Sequence, residues 1–456
     1  MRIERLAIIP QMAVEMLDHN MARDLRDLAR RIFLTSLTDS SIDKAFTRHI
    51  DYERGILRIG EDLYDLSSFS RVFAISIGKA AHSMAGALMN TVGAGAGVSG
   101  IVATPADQSS QIFAYRYFLG GHPTPNHESV RAAEAILRSL QTLTARSLVI
   151  YMISGGGSSV VETPISSSIS LPDLIATYQA LVHSGAPIAE INAVRKHLSA
   201  VKGGRMALVA APAQQVSIMV SDVPDGSLDA LASGPTMPDS STVEQCHSIV
   251  RDFKLLNEFP SSVRELFHHG GIDETPKEGD PAFAHSRWIT VLSNATARKA
   301  AVTGAAASGF AVEVDNACDD WDYARAADYL LDKLRKLRSG VSRVCLISGG
   351  EVTVKVSGKP GSGGRNQQFA LYCAQKIAGE RIVVLSAGTD GVDGNSPAAG
   401  AIVDGTTVHR AREKGIDAVQ ALAGFNAYPL FSALDDDVTT GPTGNNLRDL
   451  RILLAY

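Results

Sequence analysis

Short runs of aliphatic and β-branched residues recur along this chain, and each of them ends in glycine, serine or aspartate. The clearest run, RVFAISIG from Arg71, is followed by the helix-like KAAHSMAGALM, and similar runs occur in GIVATP, SLVIYMISGGGSS and QVSIMVSDVPDG. Strands that alternate with helices favour a largely parallel sheet covered on both faces. The pattern therefore predicts an α/β protein whose ligands bind at the carboxyl ends of the strands.

The length of 456 residues exceeds one ordinary core and predicts two domains. The polar segment between about Pro260 and Pro281 is rich in glycine, histidine and charge, as is typical of a connection between domains. We expect an N-terminal Rossmann-like three-layer domain at residues 1–265 and a smaller α/β domain at residues 285–456. RWITVLSN would open the second domain, and the alternating EVTVKVSG predicts an antiparallel hairpin arm and hence a mixed sheet.

Composition excludes several classes of function. The net charge of -5 is mild, whereas a nucleic-acid partner usually requires a basic face. No apolar run approaches the roughly 20 residues that cross a bilayer, and the N-terminal segment carries charges and Pro10 where a signal peptide needs an unbroken apolar stretch. The four cysteines form no CxxC pair, which favours buried reduced thiols. We expect a cytoplasmic protein without nucleic-acid or membrane partners, as a monomer or a homo-oligomer.

Two loops in the first half are candidate anion sites. Lys79 follows RVFAISIG and opens a helix, where its charge would reinforce the positive end of the helix dipole. A solvated lysine is the alternative, and a P-loop is absent because Ala80 replaces the required Ser or Thr. The second loop, which we call the glycine loop, comprises Ser154, Gly155, Gly156, Gly157 and Ser158. Its glycines allow the backbone to approach a substrate closely, although a flexible turn is the alternative.

Charged residues near other predicted strand ends extend this set. Asp222 follows the strand VSIMV and Asp390 follows RIVVLSA, where a carboxylate can hold Mg²⁺ or accept a proton from a hydroxyl. Aspartate–glycine pairs are also ordinary turn formers. Arg195 lies in the basic helical stretch INAVRKHLSAVKGGRMA. Its side chain either contacts a ligand or belongs to a solvated helix face.

The second half offers candidate phosphate contacts. Arg365 presents a multi-donor fork between Gly364 and Asn366, before the helix FALYCAQKIAG. A turn that includes Thr443, Gly444 and Asn445 is rich in small and polar residues. Such turns are typical of nucleotide-phosphate contacts, although a plain loop is the alternative. Gly95–Gly100 matches G-x-G-x-x-G, but a helix precedes it and a strand follows, which is the reverse of a dinucleotide site.

Long stretches of the chain closely resemble the type II glycerate 2-kinases, whose C-terminal part is the MOFRL domain. They include VFAISIGKAAHSMA, SGGGSS, INAVRKHLSAVKGGRMA, SDVPDGSLDALASGPTMPDSST, GGRNQQFAL, AGTDGVDGNSPAAGAIVD and TGPTGNNLRDLRILL, and they span about residues 71 to 455. The resemblance implies ATP-dependent phosphorylation of the 2-hydroxyl of D-glycerate, with Mg²⁺ or another divalent cation, in a cleft between two domains. It also matches Lys79 and Arg365 to the family's principal active-site cations and places the SGGGSS loop, Arg195, Asp222 and Asp390 in its pocket motifs.

The chain departs from the family pattern at a few positions. Glu162 stands where small or aliphatic residues are usual, and Asn395-Ser396 replaces Pro-Thr. The glycine and acid after Pro224 are exchanged. Three alternatives remain: a kinase of a related small hydroxy acid, an NAD(P)-dependent hydroxypyruvate reductase (a name also attached to this family), and a non-catalytic sensor of a phosphorylated metabolite.

Overall fold

The computed structural model describes the chain from Arg5 to Tyr456, with side chains described from Asn20 onward. The prediction that the N-terminal segment is not a signal peptide depends on side chains such as that of Pro10. These lie outside the side chains that the structure describes. The strands are β1 (Ile50–Glu53), β2 (Ile56–Ile59), β3 (Asp62–Asp65), β4 (Arg71–Ile77), β5 (Ser99–Thr104), β6 (Tyr115–Leu119), β7 (Ser147–Ser154), β8 (Gln214–Val220), β9 (Ser286–Leu292), β10 (Ala311–Val314), β11 (Val344–Gly349), β12 (Ile382–Gly388), β13 (Gly400–Asp404), β14 (Asp437–Val438) and β15 (Asp449–Ala455).

Helices connect most of these strands. They are α1 (Arg5–Asp39), α2 (Ile42–His49), α3 (Ala81–Val92), α4 (His127–Leu140), α5 (Gly157–Val160), α6 (Leu171–His183), α7 (Ile188–His197), α8 (Arg205–Ala210), α9 (Val243–Asp252), α10 (Ser261–His268), α11 (Asn294–Ala307), α12 (Tyr323–Arg338), α13 (Arg365–Lys376), α14 (Thr407–Glu413), α15 (Ala418–Ala423) and α16 (Ala427–Leu434). Within the described chain, each helix is too short or too polar to cross a membrane. All four cysteines are free and buried.

Two compact units divide the chain. We call Ile42–Ser293 the parallel-sheet unit. The mixed-sheet unit combines α1 and the turn to Ser41 with Asn294–Tyr456.

Six strands form the parallel sheet, in the order β6-β5-β4-β7-β8-β9, and each runs parallel to its neighbours. Phe73, Ile75 and Ile77 of β4 share one core with residues of α4 and α8. Residues of a strand alternate between its faces, and α3 packs on β4, β5 and β7 outside that core, so helices cover both faces. The predicted Rossmann-like, three-layer architecture is confirmed, with a small antiparallel sheet, β1-β2-β3, in addition.

The mixed sheet has the order β10-β11-β15-β12-β13-β14. The pair β10–β11 is parallel, and the other neighbouring pairs are antiparallel. Leu346 and Val384 face a core made with α12 and α13. Cys345 and Leu385 face the opposite core, which α1 and α11 complete. The prediction of a second α/β unit with a mixed sheet is therefore confirmed.

These units differ from the predicted bounds of 1–265 and 285–456. β9 pairs in parallel with β8, so the first unit continues to Ser293. The segment predicted to connect the domains contains α10, whose Val263 and Phe267 are buried in a core of the parallel-sheet unit. α1 was assigned to the N-terminal domain, but its apolar face covers the mixed sheet instead.

The predicted hairpin arm at EVTVKVSG is wrong. Only Thr353 of this segment forms a β-bridge among the described residues, in parallel with Asp322. The reason is that β11 already has β10 on one side and β15 on the other, which leaves no free edge for the segment that follows it. The mixed character of the sheet comes from β15.

Phe33→Ala tests the assignment of α1. Phe33 is fully buried against the mixed sheet, whereas its neighbour Leu34 is 40% exposed. Removal of a buried phenylalanine side chain should lower the free energy of unfolding by about 3–5 kcal/mol, and Leu34→Ala should have little effect. Denaturant unfolding of both variants measures the difference. Equal losses would contradict the packing of α1 on this sheet.

Candidate functional site

The parallel sheet reverses its strand order at β4, which lies between β5 and β7. Connections leave in opposite directions at such a point, and ligands of open α/β sheets bind in the crevice that results. Lys79 follows β4, two residues before α3 begins, and its side chain is exposed. Its backbone amide donates to the carbonyl of Gly155 at 2.9 Å, which joins the two predicted loops directly.

The glycine loop after β7 lies against the acidic turn after β8. A Cβ atom built on Gly155 would be 1.8 Å from Oδ2 of Asp222, so the glycine lets this carboxylate lie directly against the loop. Ser154 is buried, and its hydroxyl donates to the carbonyl of Ile77 and accepts from the amide of Ala80. Ser154 therefore fixes the turn that carries Lys79, while Gly155 permits the approach of Asp222.

His122 belongs to the same cluster, although sequence reasoning missed it. A Cβ on Gly156 would be 3.2 Å from Cγ of Lys79 and 3.4 Å from Cε1 of His122. Nδ1 of His122 lies 3.1 Å from the hydroxyl of Ser159. Burial, and secondly the charge of Lys79, lower the pKa of His122, which keeps the imidazole neutral near pH 7. The stretch GGHPTPNH carried the signal, since it lies near the end of β6 at the same sheet edge.

A strained turn supports the far side of the glycine loop. The hydroxyl of Ser158 lies 2.8 Å from that of Ser233. Ala232 and Ser233 both adopt left-handed backbone conformations, with φ of 49° and 61°. A Cβ on Gly157 would be 2.8 Å from Cβ of Ala232. Non-glycine residues are rarely held in this conformation, and they concentrate at ligand sites.

Arg195 lies in a buried ionic cluster rather than against Lys79. Its guanidinium lies 4.9 Å from the centre of the Tyr178 ring, and its Nε is buried without a hydrogen-bond partner among the described residues. Glu162, fully buried, forms an ion pair with Lys202 and accepts hydrogen bonds from Tyr178 and Ser199 at 2.8 and 2.5 Å. The departure at Glu162 is therefore compensated by a buried cation and two hydroxyls.

In the mixed-sheet unit, Arg365 begins α13 and binds Asp449, the first residue of β15. The contact is bidentate, with Nε–Oδ2 and Nη2–Oδ1 distances of 2.7 and 2.9 Å. Nη2 also lies 2.8 Å from the carboxylate of Glu351. Burial alone would lower the pKa of Arg365, but the hydrogen bond and charge of Asp449 raise it. Asp449 was not predicted, and its only signal was a charge at the start of an apolar run.

The amides at the start of α13 are occupied by Asp393. Its carboxylate accepts the backbone N–H groups of Asn366 and Gln367 at 3.0 and 2.9 Å. Burial raises the pKa of Asp393 to about 6, although these amides act in the opposite direction. Asn366 is 1% exposed and also accepts from Ser386, so its side chain supports this corner from inside. The predicted anion site therefore depends on Arg365, not on free helix amides.

Asn395, one of the departures from the family pattern, holds the glycine-rich turn before α13. Its Nδ2 donates to the carbonyl of Gly361 at 3.0 Å, and its Oδ1 accepts from the amide of Gly363 at 2.8 Å. The adjacent Ser396 accepts from Nε2 of Gln367 at 2.6 Å. A Cβ on Gly364 would be 2.4 Å from Asp393, so this turn packs closely against the next one.

Asp390 and the Thr443 turn reach the same edge as Arg365. A Cβ on Gly388 would be 3.0 Å from Oδ1 of Asp390 and 3.5 Å from Oδ1 of Asp449. The amide of Thr443 donates to the carbonyl of Asp390. Gly444 is exposed, and Asn445 donates from Nδ2 to the carbonyl of Ser40, which ties the turn to the end of α1.

No group of three or more His, Cys, Asp or Glu side chains gathers as a metal site in the part of the chain that the structure describes. Mg²⁺ in phosphoryl-transfer sites is held by one or two carboxylates together with phosphate oxygens. Asp222 beside Gly155 and Asp390 beside Gly388 each fit that requirement as single carboxylates. Gly95–Gly100 follows α3 and runs into β5, which is the wrong order for a dinucleotide site.

An open parallel sheet with a cation, a glycine loop and a carboxylate at its switch point defines an α/β protein that binds small anions. Residues 28–268 match the model described as a domain of unknown function (DUF4147), and residues 344–449 match the MOFRL family. The chain belongs to the family of glycerate 2-kinases that contain a MOFRL domain.

Several known proteins are similar to this chain. The glycerate 2-kinase of Pyrococcus horikoshii is 34% identical over 84% of this chain and 87% of its own length. The D-glycerate 2-kinase of Thermotoga maritima is 34% identical, over 84% and 91%. A protein of Agrobacterium vitis that bears a hydroxypyruvate reductase name is 36% identical, over 84% and 99%. The solved structure of glycerate kinase from Thermotoga maritima has a TM-score of 0.83 at 32% identity, and the match covers 95% of this chain and 100% of that one.

Lys202→Met tests the cluster around Glu162. The substitution leaves a carboxylate buried without its cation and should lower the free energy of unfolding by about 3–5 kcal/mol. The double variant Glu162→Gln, Lys202→Met removes both charges and should recover most of that loss, as measured by denaturant unfolding. A double variant no more stable than Lys202→Met would contradict a pairing of these two charges.

Proposed function

We propose that this protein transfers the γ-phosphoryl group of ATP to the 2-hydroxyl of D-glycerate, with 2-phosphoglycerate and ADP as products. The observation that carries the proposal is the close approach of Lys79 and His122 to Gly156 and of Asp222 to Gly155. Phosphoryl transfer requires positioned positive charge and an oriented hydroxyl more than covalent chemistry. The names of the relatives from Pyrococcus horikoshii and Thermotoga maritima support the same reaction.

The residues at the switch point have complementary roles in this reaction. The 2-hydroxyl oxygen attacks the γ-phosphorus as the bond to the bridging oxygen of ADP breaks. Asp222 accepts the proton that the hydroxyl loses. Lys79 neutralises the charge of the transferring group, and the loop Ser154–Ser158 holds the carboxylate of glycerate through its amides and the Ser158 hydroxyl. Arg195 stays a predicted substrate contact, and its buried Nε has no acceptor among the residues that the structure describes.

Nucleotide phosphates are assigned to the edge of the mixed sheet that carries Arg365. Asp449 is fully buried and fixes the guanidinium, whereas Glu351 is partly exposed. A phosphate oxygen would replace Glu351 as the second partner of Arg365, since both are oxyanions suited to the same fork. The other predicted nucleotide contacts are Gly364, Asn366, Thr443, Gly444 and Asn445. The side chain of Asn366 is buried and accepts from Ser386, so a contact there would use its backbone.

A divalent cation, Mg²⁺ by preference, would be held by Asp222 or Asp390 together with phosphate oxygens, and it would supply further neutralisation of the phosphate charge. A related small hydroxy acid is the second candidate substrate, because the loop recognises a carboxylate and a neighbouring hydroxyl and little else that is specific to glycerate.

The reaction and its position are tested together in one assay. Purified protein is incubated with D-glycerate and Mg-ATP, coupled to enolase without a phosphoglycerate mutase. We expect immediate formation of phosphoenolpyruvate, because enolase accepts only the 2-phospho isomer. ADP without phosphoenolpyruvate would mean another position or substrate is phosphorylated. No ADP, together with NADH oxidation on hydroxypyruvate, would favour the reductase.

Lys79→Ala tests the principal cation. Loss of one preorganised charged donor should lower kcat by about 100-fold or more, while the far-UV circular dichroism and the melting temperature stay unchanged because the side chain is exposed. Lys336→Ala, at an exposed lysine of α12, is the matched control and should keep the kcat of the wild type. A Lys79→Ala variant with normal turnover would remove this residue from the mechanism.

A further inference from the structure

A cavity lies in the mixed-sheet unit beside Arg365, with a volume of about 280 Å³. Its lining is largely aliphatic and aromatic, with Val354, Val356, Phe425 and Ala427 among the side chains. Among the described residues that line it, Arg365 is the one charged residue, and none is a carboxylate. Ligand pockets usually combine such an apolar surface with a few polar groups that fix orientation.

Val354, Val356 and Pro360 of the lining lie in or just after the segment EVTVKVSG, which was predicted as a hairpin arm. Its apolar residues alternate as in a strand, yet Val356 is 49% exposed. No backbone–backbone hydrogen bond joins residues 354–360 to the other residues that the structure describes. A flat ligand with its own donors and acceptors could therefore pair with this segment.

Another part of the lining carries an aromatic ring, that of Phe425. The turn before α13 is held by the amide of Ser362, which donates to Oδ1 of Asn426, and by the amide of Tyr428, which donates to the carbonyl of Ser362. Phe425 has a left-handed backbone with φ of 49°. A bulky residue rarely adopts this conformation, so a packing or binding role is expected of it.

We propose that this cavity binds the nucleobase of ATP, stacked on Phe425 and covered by Val354 and Val356, with the phosphates directed to Arg365. A nucleotide is a flat, apolar ring joined to a polyanion, and the cavity joins an apolar slot to a guanidinium in the same way. The volume suits one base rather than a larger ligand, because sites for drug-sized ligands start at about 300 Å³. Lys355 and Lys359, both exposed on the covering segment, add positive charge suited to the phosphates. The inference rests on the proposed function for the choice of ATP.

Two variants that leave the charge unchanged test the proposed nucleobase site, which we call the base site. Phe425→Asn removes the ring but keeps a residue that tolerates the left-handed backbone, and Val356→Asn changes an exposed side chain of the covering segment. Calorimetric titration should show ATP and ADP binding weakened about tenfold, the usual effect of a lost stacking contact, whereas tripolyphosphate binding should change less than about twofold. Val419→Asn, at an exposed valine of α15 outside the cavity, is the matched control.

Hydrogen exchange provides a measurement that needs no variant. ATP should protect the amides of 354–359 in the wild type, and tripolyphosphate should not. Equal protection by both ligands, or none by ATP, would overturn the base site.

The same proteins are assayed with D-glycerate, which separates this inference from the proposed function. An active wild type whose cavity variants keep the wild-type KM for ATP would overturn the base site alone. A wild type that does not phosphorylate glycerate, but binds ATP in a Phe425-dependent way, would overturn the proposed function and support the base site. A wild type that binds no ATP would overturn both.

Discussion

In the mixed sheet, the last strand of the chain lies between β11 and β12, and all seven of its residues are buried. Two of them, Asp449 and Arg451, are charged, and a buried charge persists only where a partner compensates it. Asp449 meets that need through Arg365, and the guanidinium of Arg451 lies 5.1 Å from the centre of the Phe369 ring. The start of α13, the cavity beside it and the candidate phosphate cation therefore all depend on β15 being in place.

The candidate cations Arg365 and Lys79 differ in their partners. Arg365 is anchored by the buried carboxylate of Asp449, so its charge is largely neutralised within the fold. Lys79 forms no ion pair with the described residues, and its side chain is exposed above a glycine loop. An anchored arginine keeps its geometry when a ligand arrives, whereas an unpaired lysine brings the full attraction of its charge.

The strands and loops of the parallel sheet could be predicted from the sequence because a local pattern marks them. In that pattern, an apolar run is followed by glycine and then by a helix. Lys79 and the loop at Ser154–Ser158 could be placed at one sheet edge for that reason. His122 and Asp449 could not, because each gains its role from a partner distant in sequence. The prediction of a hairpin at EVTVKVSG was wrong for a related reason. The alternation of apolar and polar residues indicates a tendency to form a strand, but it does not show whether a sheet has a free edge for that strand.

Because α1 belongs to the mixed-sheet unit, the parallel-sheet unit is inserted in the sequence between α1 and the rest of the mixed-sheet unit. During synthesis, α1 leaves the ribosome before the parallel-sheet unit, and β15, which completes the sheet that α1 covers, leaves after it. Domains generally fold as units during translation, so Ile42–Ser293 can be complete while Phe33 and its neighbours still lack their core. The nascent chain therefore exposes the apolar face of α1 until the strands of the mixed sheet have been made, and we expect chaperones to bind this species rather than the folded protein.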